Sequence, residues 1–126
     1  MRRPLLALVV VLAAIGAFTG GLAWLLDTPR SPAGAPKAER LYLGLCATCH
    51  GPDGRGSWRA ALFLVRPGKL NDAAILDGRS DQYLFDLIKD GGAPIGRPGR
   101  PAFGSTLTDG EIAELVAYVR ALSRAR

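Results

Sequence analysis

Cys46, Cys49 and His50 fall within the segment LCATCHG, and they are both of the chain's cysteines and its one histidine. Three kinds of chemistry use such a cluster. A zinc site needs about four ligands, and no second Cys/His group exists in the chain to complete one. A redox Cys-x-x-Cys belongs after a strand in a βαβ pattern, and no strand pattern precedes Cys46. Covalent haem attachment is signalled directly by Cys-x-x-Cys-His. The spacing suits it. Residues three apart on a helix share a face, with Cβ atoms about 5–6 Å apart, so two thiols can form thioethers to two vinyl groups on one edge of a haem. His50 then supplies an imidazole nitrogen as axial ligand to the iron. A plain i, i+3 disulfide would leave His50 and the glycine after it unexplained.

These residues need elements to hold them. The clearest helix is Thr108 to Ser123. Thr108 and Glu111 make a capping box, and Ile112, Leu115, Val116, Val119 and Leu122 form an apolar stripe at helical spacing. A second helix runs from Ser80 to Asp90, with Ser80 as N-cap and Gly91-Gly92 as its stop. A third, Ala38 to Cys49, leads into the cysteine motif. Ala60 to Val65 reads as a short helical turn. Residues 93–104 hold three prolines and read as irregular loop. Nothing alternates with period two over a useful length, so the expectation is an all-α domain with almost no strand.

The chain has 126 residues, which implies one domain plus an anchor. Residues 1–26 read as a signal anchor. Leu5 to Leu26 carries no charge, long enough to cross a hydrocarbon core of about 30 Å. A cleaved signal peptide has a shorter apolar region. Arg2 and Arg3 before the span keep the N-terminus cytoplasmic and place the rest outside, the periplasmic face in a bacterium. Trp24 sits at the outer end, where an indole suits the interface. Residues 27–37, with three prolines, read as a semi-extended tether reaching up to roughly 30 Å. Residues 38–126 form the remaining domain. It is small enough to need a staple, and a covalent haem would serve.

Net charge is +5. From Ala38 onward, twelve Lys/Arg face ten Asp/Glu, so much of the excess lies in anchor and linker. No basic stripe with interleaved aromatics appears, and nucleic acid is not an expected partner.

The motif CATCHG, the block YLFDLIKDGG (Tyr83 to Gly92) and the block PAFGSTLTDGEIAELVAYVRAL (Pro101 to Leu122) together resemble a membrane-anchored class I cytochrome c over nearly all of residues 38–126. The resemblance implies a small all-α class I cytochrome c fold, preceded here by a transmembrane helix. It implies one covalent haem c with iron, electron transfer between redox protein partners in the periplasm or inner membrane, and no enzyme activity of its own. In that family the first and last helices cross with an aromatic from each at the contact; Tyr42 and Tyr118 match those positions. The family uses a loop proline carbonyl to accept from the axial histidine, and Pro67 matches. The family's second axial ligand is a Met just before the last helix. Here Arg100 stands at that place, in GRPAFG, and Met1 is the chain's one Met. A guanidinium stays protonated and offers no lone pair. Lys69, Lys89 and Asn71 are weak substitutes, and Tyr83 and Tyr118 read as core. The sixth position is therefore open, filled by an unexpected internal group, or filled by a partner. The alternative function that follows is binding of a small ligand, nitric oxide, oxygen, carbon monoxide or peroxide, at an open iron.

Overall fold

The computed structural model describes residues 2–27, 29–62 and 66–125. Helix α1 (Arg2–Leu26) is followed by α2 (Lys37–Leu45), α3 (Ala47–His50), α4 (Trp58–Leu62), α5 (Ala73–Asp77), α6 (Asp81–Asp90), a 3-10 turn at Ala93–Ile95 and α7 (Asp109–Arg124). No strand occurs among the described residues, so the all-α expectation is met.

α1 is long and apolar enough to cross a membrane over Arg3–Leu26, and none of it is buried against the rest of the chain. Twenty-five residues at 1.5 Å each span roughly 37 Å. An all-round apolar helix left uncovered suits a lipid surrounding.

α7 is the centre of the domain. Thr108 caps it: its hydroxyl accepts from the Glu111 backbone N–H at 3.3 Å, and the Glu111 carboxylate accepts from the Thr108 N–H at 2.8 Å. The 3.6-residue period then carries Ile112, Leu115, Val116 and Val119 inward, all buried. They pack with Tyr42 and Leu43 of α2, Leu76 of α5 and Leu84 of α6. Burying each such aliphatic side chain contributes about 1.5–3 kcal/mol. Ile112→Ala, at a fully buried site, would cost about 2–5 kcal/mol.

The expected helix from Ala38 to Cys49 is two pieces. α2 ends at Leu45, and Cys46 sits between α2 and α3 at φ −108°, ψ −38°. α5 was not anticipated. Asp72 caps it, accepting from the Ala74 N–H at 3.1 Å, and five residues are too few for a periodic pattern to show. Arg120 of α7 holds the α5–α6 corner. Its guanidinium donates to Asp81 Oδ1 at 2.8 Å, to the Leu76 carbonyl at 2.6 Å and to the Arg79 carbonyl. The turn expected from Ala60 to Val65 begins two residues earlier, as α4. Residues 63–65 lie outside the described residues.

The segment between α1 and α2, read from its prolines as a semi-extended tether, is stitched at both ends. Ala35 is buried, and its carbonyl accepts from the Arg40 guanidinium. Lys37 pairs with Glu111 at 2.9 Å. At the other end, Arg59 of α4 donates to the Trp24 carbonyl at 2.9 Å and to the Asp27 carbonyl. Trp58 stacks on Trp24, with ring centroids 5.1 Å apart and planes at 27°.

Candidate haem-attachment site

α3 is one further helical turn after the break at Cys46. The N–H groups of Cys49 and His50 both donate to the Cys46 carbonyl, at 3.1 and 2.9 Å. That turn sets Cys46, Cys49 and His50 as a compact group. Both thiols are free; Cys46 is half-buried and Cys49 exposed. Burial pushes the Cys46 thiol up to about 11, so it is held as the neutral thiol.

Gly51 then reverses the chain at φ +76°. A Cβ there would lie 2.9 Å from the Gly56 carbonyl oxygen, which explains the glycine after the histidine. The reversal lets Gly56 N–H donate to the His50 carbonyl at 2.7 Å and Ser57 N–H to the Cys49 carbonyl at 2.9 Å. Gly54, also left-handed, accepts from Leu70 N–H at 2.8 Å. This bond brings the segment around residue 68 against the imidazole.

His50 Nδ1 lies 3.0 Å from the Gly68 carbonyl oxygen. A carbonyl only accepts, so Nδ1 carries the proton and the Nε2 lone pair is available. Burial lowers the His50 pKa, with Arg100 adding to the same direction, and the ring is neutral. The acceptor is one residue beyond the expected Pro67. The Gly54–Leu70 bond fixes the register, and in that register Gly68 presents its oxygen to the ring. No signal in the sequence separated these two neighbouring carbonyls.

Arg100 is half-buried, in the loop that follows α6. Two glycines let that loop close on the helix. A Cβ on Gly91 would meet the Arg100 carbonyl oxygen at 2.8 Å. Gly92 N–H donates to that same oxygen at 3.2 Å, while Phe103 and Gly104 N–H donate to the carbonyls of Ile88 and Lys89 at 3.0 and 2.9 Å. The loop is irregular but pinned. One guanidinium nitrogen of Arg100 reaches within 3.6 Å of where a Gly68 Cβ would stand. The cation thus sits beside the peptide that holds His50. Desolvation first, then Arg97, lowers the Arg100 pKa, with Arg79 contributing.

The substitute donors fare unevenly. Lys89 is engaged by Asp109 at 2.8 Å and lies over the Phe85 ring. Tyr83 lies under the Arg79 guanidinium, and Tyr118 packs on Tyr42. Lys69 is exposed. Asn71 differs: its amide oxygen is buried without a hydrogen-bond partner.

Among the described residues no three His, Cys, Asp or Glu side chains converge as a metal cage. The arrangement fits a haem instead. Two unpaired thiols and one neutral imidazole with a fixed tautomer are the donors that such a group needs, and the Gly68 carbonyl orients the ring. Gly68, Gly51 and Gly54 were missed as site residues by the sequence reasoning; the Pro67-Gly68 dipeptide and the glycine-rich GPDGRG were legible only as turns.

Residues 33–119 match a family described as cytochrome c oxidase, cbb3-type, subunit III. No curated protein matches the chain.

Proposed function

The chain belongs to that family, a c-type cytochrome domain whose function is haem-binding electron transfer, and from this premise we propose that it is a single-pass, periplasm-facing cytochrome of the bacterial inner membrane that carries one covalent haem c. In this reading Cys46 and Cys49 form the two thioethers and His50 is an axial ligand. The chain acts as an electron carrier between redox protein partners in the periplasm or inner membrane, not as an enzyme. α1, uncharged from Leu5 to Leu26 behind Arg2 and Arg3, is the anchor.

The observation that carries the proposal is the His50–Gly68 bond, 3.0 Å long. It holds the proton on Nδ1 and aims the other nitrogen's lone pair away from the chain's own carbonyl. Bound haem supplies an iron that cycles by one electron. What the chain does is orient the imidazole, keep it neutral by burial, and keep the two thiols unpaired before attachment.

A second reading rests on Arg100. It stands where the family places a thioether donor, and a guanidinium cannot ligate. Binding of a small ligand at the sixth position is therefore the alternative role.

Absorption spectra of the purified protein, oxidised and reduced, with and without carbon monoxide, test both. A haem c spectrum retained in denaturant supports attachment, and haem extracted by denaturant overturns it. Rapid carbon monoxide binding favours the second reading. A low-spin haem inert to carbon monoxide in both states rules it out. Mass spectrometry finding the mature chain to begin near Ala17, in soluble periplasmic extract, would defeat the anchor assignment.

A further inference from the structure

Arg59, Trp58 and Leu62 lie on a helix of five residues that the haem-site chemistry does not use. Their surroundings set the depth of this helix. Trp24 is two residues from the end of the candidate membrane span, and an indole there occupies the membrane–water interface. Trp58 stacks on Trp24 at 5.1 Å and so shares that depth. Arg59 binds the Trp24 carbonyl in the last turn of α1 and the Asp27 carbonyl just beyond it, a favourable place for a cation. Its guanidinium also lies over the Trp58 ring, 5.6 Å from the centroid. Positions i and i+4 share a helix face, so Trp58 and Leu62 point the same way. Both are exposed, at 51% and 60%.

We infer that α4 is a second membrane-contact element: Trp58 and Leu62 enter the interface of the bilayer that α1 crosses, and Arg59 staples α4 to the anchor's end. The occupant is lipid because the apolar face continues directly from a helix already placed in it. The inference rests on the anchor reading above. It has a consequence for the haem motif. Ser57 and Gly56, just before α4, are backbone-bonded to Cys49 and His50, so docking α4 sets the attachment motif at the membrane surface and not at the end of an extended tether.

The test uses the full-length, haem-loaded chain in liposomes. A photoreactive benzoylphenylalanine replaces Leu12, Trp58, Leu62 or Ile75, one at a time. Ile75 is an exposed residue of α5 and serves as control. Lipid adducts are read by mass spectrometry. The expected result is adducts from positions 12, 58 and 62, each several-fold above position 75. Adding Arg59→Ala and Trp24→Ala to the position-62 variant should bring its labelling down toward that control. Labelling at 12 with 58 and 62 at the control level overturns the docking and leaves the anchor standing. No labelling at 12 overturns the anchor itself, and the docking with it. Undiminished labelling at 62 in the Arg59→Ala, Trp24→Ala background overturns the staple.

Discussion

Tyr42 and Tyr118 meet with ring centroids 5.2 Å apart and planes at 44°, and this contact joins the helix before the cysteine motif to the last helix. Tyr42 is fully buried, and its hydroxyl donates to the Gly51 carbonyl at 2.8 Å. One side chain therefore ties the helix crossing to the turn that follows His50. Burial raises the Tyr42 phenol above its ordinary value, so it remains a donor at any working pH.

Tyr42→Phe removes that donor and leaves the Gly51 carbonyl with the longer bond from the Gly54 N–H at 3.3 Å. The expected loss of stability is about 0.5–1.5 kcal/mol. Tyr118→Leu keeps apolar volume and loses the ring pair, worth about 0.5–1.5 kcal/mol. Denaturant unfolding of the haem-loaded Tyr42→Leu, Tyr118→Leu and double variants, which remove the ring from one side, the other and both, should show coupling between the two sites. Strict additivity would mean that the rings do not interact.

Cys46→Ala with Cys49→Ala should abolish haem colour at the protein band of a denaturing gel. Each single change should leave one thioether and a shifted spectrum. Colour that survives the double change would defeat the attachment assignment.

Arg100→Met supplies the soft thioether donor that favours ferrous iron. It also removes one cation, which alone would lower the potential. The direct bond acts more strongly than a charge in a group that retains Arg79 and Arg97, so the net expectation is a higher reduction potential than wild type. The variant should gain the red-end thioether–iron band and bind carbon monoxide more slowly. An unchanged spectrum would show that position 100 does not face the iron.

Glu111 gives an acid dependence. The Thr108 backbone N–H, the Lys37 ammonium and the Thr108 hydroxyl pull its carboxyl down to about 2, below the unfolded value of about 4.3. A depressed folded pKa contributes stability that is complete above the unfolded value and is lost as pH falls through the folded one. Glu111→Gln should therefore lower Tm near neutrality. The gap from wild type should close between pH about 4.3 and about 2. A gap independent of pH would assign the effect to packing.

What could be read from the sequence divides by the range of the interaction. The Thr108–Glu111 box, the α7 stripe and the Ser80 cap are local, and each appears in place. The Tyr42–Tyr118 contact came through family resemblance and is present. The choice of Gly68 over Pro67 depends on the backbone bond between Gly54 and Leu70, and the Arg59 staple on a guanidinium that reaches carbonyls of a distant segment. Residue types do not encode those bonds at a distance. A glycine announces a turn, but not the carbonyl it will let approach. Likewise the prolines of the linker spoke for extension, while the stitch at Lys37 depends on Glu111, far along the chain.

The crossing of α2 with α7 also has a meaning in time. A chain synthesised from its N-terminus presents Cys46, Cys49 and His50 well before Tyr118 emerges. Contacts between far-separated segments form late because loop closure must come first. Until α7 arrives, Tyr42 lacks its ring partner and the motif lies on an unfinished core. The attachment proposed above thus has a window in which Cys46 is as open as Cys49; arrival of the last helix closes it for Cys46, which packs against the finished core, while Cys49 stays exposed.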